Sequence, residues 1–154
     1  MELFLIAQIA GRGVAIETGQ VDSVVDIAEI VAVPQTEAAI RGLVALRSRV
    51  VTVIDTGTAL GLDPTPAGAR RAVITRVDGH PYAVLVDALE DVATFERQPL
   101  SSGLTLDRGW QRVGVGLVER DGEPLLIVDL AALVPQSVLP APNTQSAARY
   151  SLAA

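Results

Sequence analysis

The chain has 154 residues, of which 49% are hydrophobic and 19% charged, enough to bury a core in one domain or in two small lobes. Its net charge of -6 argues against sequence-independent binding to nucleic acid or to an anionic membrane, since both need clustered Lys and Arg. The absence of cysteine excludes disulfides and thiolate chemistry and is typical of a reducing compartment, so we expect a cytoplasmic protein.

Short apolar segments follow one another along the chain and predict a mainly β protein. The first 13 residues lack the basic region and the long apolar region of a signal peptide, and no apolar run reaches the roughly 18 residues of a membrane span. The predicted strands are, in order, LFLIAQI, VAIE, VVTVI, AVITRV, YAVLV, VGVGLV and PLLIV. Asp78-Gly79 and Asp121-Gly122 separate two pairs of these strands and predict antiparallel hairpins, because Gly accepts a positive φ.

An internal repeat divides the chain into two similar halves. Residues 42–55 (GLVALRSRVVTVID) align without gaps to residues 116–129 (GLVERDGEPLLIVD), and residues 14–24 align to residues 82–92 with coinciding apolar positions. Such short β units predict a pair of small barrels that pack on each other. We therefore expect one all-β domain over residues 1–137, with subdomains near 1–68 and 69–137 that can exchange terminal strands, and a flexible or partly helical tail over 138–154.

Asp55-Thr56-Gly57, which follows an apolar run, resembles the active-site signature of aspartic proteases. Those enzymes need two carboxylates that share one proton. The repeat supplies Asp129 as the counterpart of Asp55, but that copy lacks the Thr-Gly pair, so catalysis would require a retroviral-type homodimer. The other interpretation is that each Asp caps the turn after a strand, and we favour it.

Other candidate chemical groups predict no enzyme and no metal site. His80, the only histidine, lies in a predicted hairpin turn and has no serine or acid arranged around it in sequence. The acids of DALED, at residues 87–91, lack the spacing of a calcium loop and indicate a solvated strand end. We therefore expect no catalytic residue, no cofactor and no metal.

The order of motifs resembles the CheW family of chemotaxis coupling proteins. The matching segments begin at FLIAQIAGRGVAIETGQVDSVVDI, continue through IRGLVALRSRVVTVIDTG and YAVLVDALEDV, and end at VGVGLVERDGEPLLIVDLAAL. This resemblance implies two five-stranded SH3-like barrels, short helical turns and no catalytic activity. It also implies an adapter that couples the cytoplasmic tips of methyl-accepting chemoreceptors to the regulatory domain of a CheA-type histidine kinase. An adapter of a different, non-chemotaxis pathway has the same sequence features.

The resemblance implies a kinase-binding surface that contains Val21, Gly42, Leu43 and Arg47, and it assigns no residue to the receptor contact. The family's usual partner for the arginine is a Glu, where this chain has Ser23. Arg47 is therefore expected to be available to an acidic group on a partner, unless Asp22 or Asp26 replaces the missing Glu.

Three residues have a structural interpretation beside the functional one. Gly42 fits a bulge or turn with positive φ, because Gly116 repeats it in the second copy. Val21 suits either a core or an interface. Trp110, the only Trp, suits either an interface anchor or a cover over one barrel mouth, and we favour the cover.

Overall fold

A computed structural model describes residues 1–34, 37–100 and 105–135, which form ten strands in two five-stranded sheets. The strands are β1 (Glu2–Ile9), β2 (Arg12–Glu17), β3 (Ser23–Asp26), β4 (Ile40–Leu46), β5 (Arg49–Ile54), β6 (Arg71–Val77), β7 (His80–Leu85), β8 (Ala88–Phe95), β9 (Gly114–Arg120) and β10 (Glu123–Val128). Two short helices, α1 (Thr56–Ala59) and α2 (Arg108–Val113), lie outside the sheets. The mainly β architecture with short helical turns is confirmed.

The two sheets have equivalent strand orders, which confirms the internal repeat. Sheet A runs β8-β1-β2-β10-β9, and sheet B runs β3-β6-β7-β5-β4. Strands β1 to β5 of the first repeat therefore occupy the same places as β6 to β10 of the second. Each sheet, however, takes its first hairpin from one repeat and three strands from the other. The predicted boundary between residues 68 and 69 lies between β5 and β6 inside sheet B, so the sheets do not follow the two halves of the sequence.

An isolated bridge joins the outer strands of each sheet and curls it into a barrel. In sheet A, Gln98 beyond the end of β8 bridges to Leu117 on β9. In sheet B, Val31 beyond the end of β3 bridges to Leu43 on β4. Leu43 and Leu117 are counterparts in the repeat, so both barrels close at the same position.

The largest apolar cluster lies between the barrels, and each barrel also has a smaller cluster of its own. The side chains of a strand alternate between these clusters, since successive residues point to opposite faces. On β6, for example, Ala72 and Ile74 fill barrel B, while Val73 between them packs in the inter-barrel cluster. Burial on both faces explains why the strands appear in sequence as continuous apolar runs.

The predicted hairpin turns are present. Asp78-Gly79 joins β6 to β7, and Asp121-Gly122 joins β9 to β10, with φ between 52° and 81° at all four residues. Both strand pairs are antiparallel, as the sequence predicts. The same type of two-residue turn, at Arg47 and Ser48, joins β4 to β5.

Helix α2 packs closely against the end of α1 and covers the inter-barrel cluster. A Cβ added to Gly109 would lie 1.8 Å from the carbonyl oxygen of Leu60, so only glycine permits this approach. Trp110 is 3% exposed and belongs to the inter-barrel cluster. The Arg12 guanidinium lies over its ring, 5.1 Å from the ring centroid. Trp110 is therefore buried and is not an exposed anchor, but it covers the cluster between the barrels and not the mouth of one barrel. None of the described helices is long and apolar enough to cross a membrane, and the predicted tail lies outside the described residues.

Candidate partner-binding surface

Gly42 lies in a bulge of β4, where the register with β5 shifts between Ile40 and Gly42. Its φ is 154°, and a Cβ would lie 2.3 Å from the carbonyl oxygen of Val31. A side chain at this position would force apart the bridge that closes barrel B. The bulge interpretation therefore accounts for this glycine, while a contact between Gly42 and a partner stays a prediction.

Leu43 occupies the outer face of β4, next to the seam of barrel B. Its backbone N–H donates to the carbonyl oxygen of Val31 at 2.9 Å, and its carbonyl oxygen accepts from the Val31 N–H at 2.8 Å. Val44 packs inside the barrel, so the neighbouring Leu43 side chain points outward, where it is half-buried. Ala45 and Val50, which pair across β4 and β5, extend this outer face.

Two large apolar side chains on this outer face are well exposed. Val31 is 66% exposed and Val50 is 67% exposed. We use the name β4–β5 surface for Val31, Leu43, Ala45, Arg47 and Val50. It is a small apolar strip that ends at a basic turn.

Arg47 lies in the β4–β5 turn and is exposed. No residue that the structure describes forms a hydrogen bond or ion pair with its guanidinium. Asp22 instead lies 3.5 Å from Arg76 and Asp26 lies 2.6 Å from Arg71, so neither acid replaces the Glu that is missing at Ser23. The guanidinium can therefore bind a carboxylate of another molecule without first breaking a pair within the described chain.

Val21 is not part of the β4–β5 surface. It is half-buried and packs against the inter-barrel cluster just before β3 begins. The preceding turn is fixed by Gln20, whose amide donates to the Asp129 carboxylate at 2.7 Å and accepts from the Leu130 N–H at 3.0 Å. Core packing explains Val21 in part, and its contact with a kinase stays a prediction.

Asp55 and Asp129 both cap the helical turn that follows a strand, as the preferred interpretation predicts. Oδ1 of Asp55 accepts from the N–H of Thr58 at 3.1 Å, and Oδ1 of Asp129 accepts from the N–H of Ala131 at 3.1 Å. The repeat extends to the backbone, because the N–H groups of the two aspartates donate to the equivalent carbonyl oxygens of residues 39 and 113. The two carboxylates therefore have matching structural roles.

Asp55 has further partners that fix its charge. Its Oδ1 also accepts from the N–H of Thr65 at 2.8 Å, and its Oδ2 accepts from the Arg41 guanidinium at 2.7 Å. Burial raises the pKa of Asp55, but the Thr65 N–H, Arg41 and the Thr58 N–H together outweigh it and lower the pKa from 3.8 to about 2. A proteolytic pair must share a proton, so this carboxylate, which is ionised at neutral pH and bonded through both oxygens, does not fit the protease hypothesis.

The remaining groups singled out in the sequence form no reactive site. His80 is exposed at the start of β7. Within the part of the chain that the structure describes, no three acidic or histidine side chains are placed to hold a metal ion. Of the acids of DALED, Asp87 precedes β8 and accepts from the Gly11 N–H at 2.8 Å. Glu90 and Asp91 lie on β8, where Glu90 accepts from the Gln8 amide at 3.0 Å and from Arg120 at 3.2 Å. These contacts tie β8 to its neighbours.

Val31 and Val50 are the surface residues that the sequence analysis did not identify. The repeat contains a signal for Val50, because its counterpart 74 positions later is Pro124, and the counterpart of Ala45 is Glu119. Because the second copy has Glu and Pro at these two outer positions, the fold requires neither Ala45 nor Val50 there. Val31 has no such signal, since its exposure depends on the bridge to a distant strand.

Comparisons with known proteins agree with this architecture. Residues 3–138 match the family described as CheW-like domain. The chain is 20% identical over 127 residues to "Chemotaxis protein CheW" of Thermotoga maritima, covering 82% of this chain and 83% of that protein. It is also similar in fold to the crystal structure of scaffolding protein TtCheW from Thermoanaerobacter tengcongensis, with a TM-score of 0.73, 22% identity, and coverage of 86% of this chain and 91% of that one. The chain therefore belongs to the CheW-like domain family of non-enzymatic chemotaxis scaffolds and adapters.

Proposed function

We propose that this protein is a cytoplasmic adapter that couples chemoreceptor tips to the regulatory domain of a CheA-type histidine kinase, and that the β4–β5 surface contacts the kinase. The observation that carries this proposal is the exposed apolar strip beside an arginine without a partner among the described residues. Kinase contact through Gly42, Leu43 and Arg47 follows from the family resemblance. Val31 and Val50 are added to that set because of their exposure.

The second repeat provides an internal comparison that supports a binding role for this strip. At the positions equivalent to Ala45, Arg47 and Val50, the β9–β10 hairpin has Glu119, Asp121 and Pro124. Both hairpins fold with the same turn and register, so the fold itself accepts Glu in place of Ala45 and Pro in place of Val50. Exposed apolar residues that the fold does not need are typical of protein–protein contacts.

The chemistry of the surface suits a partner with an apolar patch and a carboxylate. Val31, Leu43 and Val50 supply apolar area, each side chain stabilising the contact by about 1 to 2 kcal/mol when fully covered. Arg47 supplies a planar donor that selects a carboxylate and sets the orientation. A strip of this size gives a weak individual contact, and assembly into an array of many such contacts raises the overall affinity.

Coupling also requires a receptor contact that leaves the β4–β5 surface open to the kinase. The receptor tip is therefore expected to bind elsewhere on the two barrels, and kinase and receptor are expected to bind together. An Arg47→Ala variant should keep its affinity for a receptor-tip fragment while its affinity for the kinase falls.

The test is a titration of the purified chain with the regulatory domain of a CheA-type kinase from the same cell. Arg47→Ala should weaken binding by about tenfold, since it removes one charge-assisted hydrogen bond at an interface, and Val50→Ser should also weaken binding. Asp121→Ala, at the equivalent turn position of the second repeat, is the matched control and should bind like the original chain. Unchanged affinity in both Arg47→Ala and Val50→Ser would refute the assignment of this surface.

A further inference from the structure

A cavity lies beside Pro135, the last residue that the structure describes. It has a volume of about 670 Å³, and most of its wall is apolar, formed by Ala38, Ala39, Ala59, Leu133, Val134 and Pro135. Residues 58 and 59 line the cavity together with their repeat counterparts 132 and 133. The meeting place of the two copies of the repeat is therefore an apolar hollow.

The continuation of the chain supplies apolar side chains next to this cavity. Val138, Leu139 and Pro140 follow Pro135 after only two polar residues. Four residues of extended chain span up to about 14 Å, so Leu139 can reach across a cavity of this size. A tether this short gives an effective concentration in the millimolar range. A weak apolar contact is therefore enough to keep the segment bound.

The first copy of the repeat contains a different arrangement of the equivalent segment. There, the chain that follows α1 turns back in the 61–69 loop. The N–H of Thr65 donates to Asp55 at 2.8 Å, and the Thr65 hydroxyl accepts from the Gly57 N–H at 3.0 Å. Arg41 also donates to the Thr65 carbonyl oxygen. These contacts hold the loop against the start of α1, and a strict repeat would place Leu139 in the position of Thr65.

Two substitutions in the second copy oppose that arrangement. Ala131 stands where the first copy has Gly57, and a Cβ on Gly57 would lie 2.1 Å from the carbonyl oxygen of Asp63 in the loop. Val115 stands where the first copy has Arg41, so it has no guanidinium to bind the returning chain. The close approach and the bond that hold the 61–69 loop are therefore both lost in the second copy.

A third difference is that a side chain already occupies the equivalent polar contacts. The Gln20 amide donates to Oδ1 of Asp129 at 2.7 Å, where the first copy uses the Thr65 N–H. The same amide accepts from the Leu130 N–H at 3.0 Å. The second copy therefore satisfies its capping aspartate without the residues that follow Pro135, and these residues need another place to bury their apolar side chains.

We infer that residues 138–140 bind in the cavity beside Pro135 of their own chain, with the Leu139 side chain against the alanines of its wall. The bound segment covers Leu133 and Ala59 together, so it joins the end of the second copy to the first. The contact is apolar on both sides and should be insensitive to salt. The occupant is thus the C-terminal segment of the same chain and not a partner.

This inference goes beyond the proposed kinase contact and does not depend on it. The cavity shares no residue with the β4–β5 surface. Its test uses the full chain alone, so a negative result would leave the proposed kinase contact untouched.

The test is disulfide formation between two introduced cysteines, which the absence of native cysteine makes unambiguous. Leu139→Cys is combined with Ala38→Cys, an exposed position of the cavity wall. The matched control combines Leu139→Cys with Val115→Cys, which is also exposed and reports the arrangement of the first copy. A disulfide needs Cβ atoms about 4 Å apart, so its rate of formation reports the time that Leu139 spends at each site.

We expect the Ala38 pair to close within one chain at least about tenfold faster than the Val115 pair in a glutathione redox buffer. Equal rates, or a faster Val115 pair, would overturn the inference. A disulfide-linked dimer as the main product of the Ala38 pair would also overturn it, because the cavity would then take the segment of a second copy.

A second measurement tests whether the contact stabilises the fold. Leu139→Ser should lower the urea midpoint of unfolding, followed by Trp110 fluorescence, by about 0.5 M, because an apolar side chain leaves its cavity. Leu152→Ser is the same substitution farther along the C-terminal segment and should leave the midpoint unchanged. Equal midpoints for Leu139→Ser and the original chain, or equal losses in the two variants, would count against binding of residues 138–140.

Discussion

The ionised state of Asp55 should make the free energy of unfolding depend on pH. The Asp55 side chain is 8% exposed and its pKa falls from 3.8 in the unfolded chain to about 2 in the fold. A lowered native pKa means that the ionised form stabilises the fold above pH 4 and that this contribution is lost as pH falls towards 2. A shift of this size corresponds to about 2 kcal/mol, of which about half is lost by pH 3.

The perturbation is Asp55→Asn, which keeps the shape and removes the charge. At pH 7 the variant should lose about 3 kcal/mol of unfolding free energy, because the Arg41 guanidinium remains buried without its carboxylate. The guanidinium also donates to the carbonyl oxygens of Thr65 and Pro66, so the 61–69 loop should loosen with it. Between pH 7 and pH 3 the original chain loses about half of the stabilisation from the ionised carboxylate, so the difference between the two proteins should shrink by about 1 kcal/mol.

The assay is urea unfolding between pH 7 and pH 3, followed by the fluorescence of Trp110, the only tryptophan. Asp63→Asn is the matched control, because Asp63 is an exposed acid of the same loop, and its substitution should change stability by less than about 0.5 kcal/mol. A stability difference between the original chain and Asp55→Asn that is the same at pH 7 and pH 3 would refute the ion-pair reasoning.

Two further predictions concern the repeat. Gly42→Ala should lower the free energy of unfolding in urea by about 3 kcal/mol, since the new Cβ would lie 2.3 Å from a backbone oxygen. Gly116→Ala should lower it clearly less, because the nearest atom to its Cβ would lie 3.0 Å away. Equal losses in the two variants would contradict the clash argument. Separate fragments 1–68 and 69–154 should each lack β structure by circular dichroism and should regain it when mixed, because each sheet needs strands from both. A fragment that folds alone would contradict this.

Local features of the fold could be predicted from the sequence. The apolar runs identified strands because both faces are buried, and the Asp-Gly pairs identified hairpins because positive φ is a property of the residues themselves. The caps at Asp55 and Asp129 were predictable for the same reason, since the hydrogen bond joins residues two or three apart. The internal repeat predicted two barrels whose strands are equivalent.

Features that depend on distant pairing could not be predicted. Strand β8 is largely exposed and contains two adjacent acids, and it is a strand because β1 pairs along it, with Leu5 opposite Val92. An exchange of terminal strands was expected, but the repeat could not show which strands are exchanged, because equivalent strands have similar patterns whichever copy they pair with. The exposure of Val31 likewise follows from its bridge to Leu43.

The exchange also has a consequence for the proposed adapter. In a chain with two separate barrels, one linker would join them and the angle between their surfaces would vary. Here the chain crosses between the sheets twice, after β2 and after β7. The inter-barrel cluster includes Leu5 and Ile16 from sheet A and Val73 and Val84 from sheet B. Moving one barrel against the other would expose these four side chains at about 1.5 to 3 kcal/mol each. The β4–β5 and β9–β10 hairpins, one on each barrel, are therefore held at a fixed mutual angle, so partners bound to the two barrels would be held at a fixed angle to each other as well.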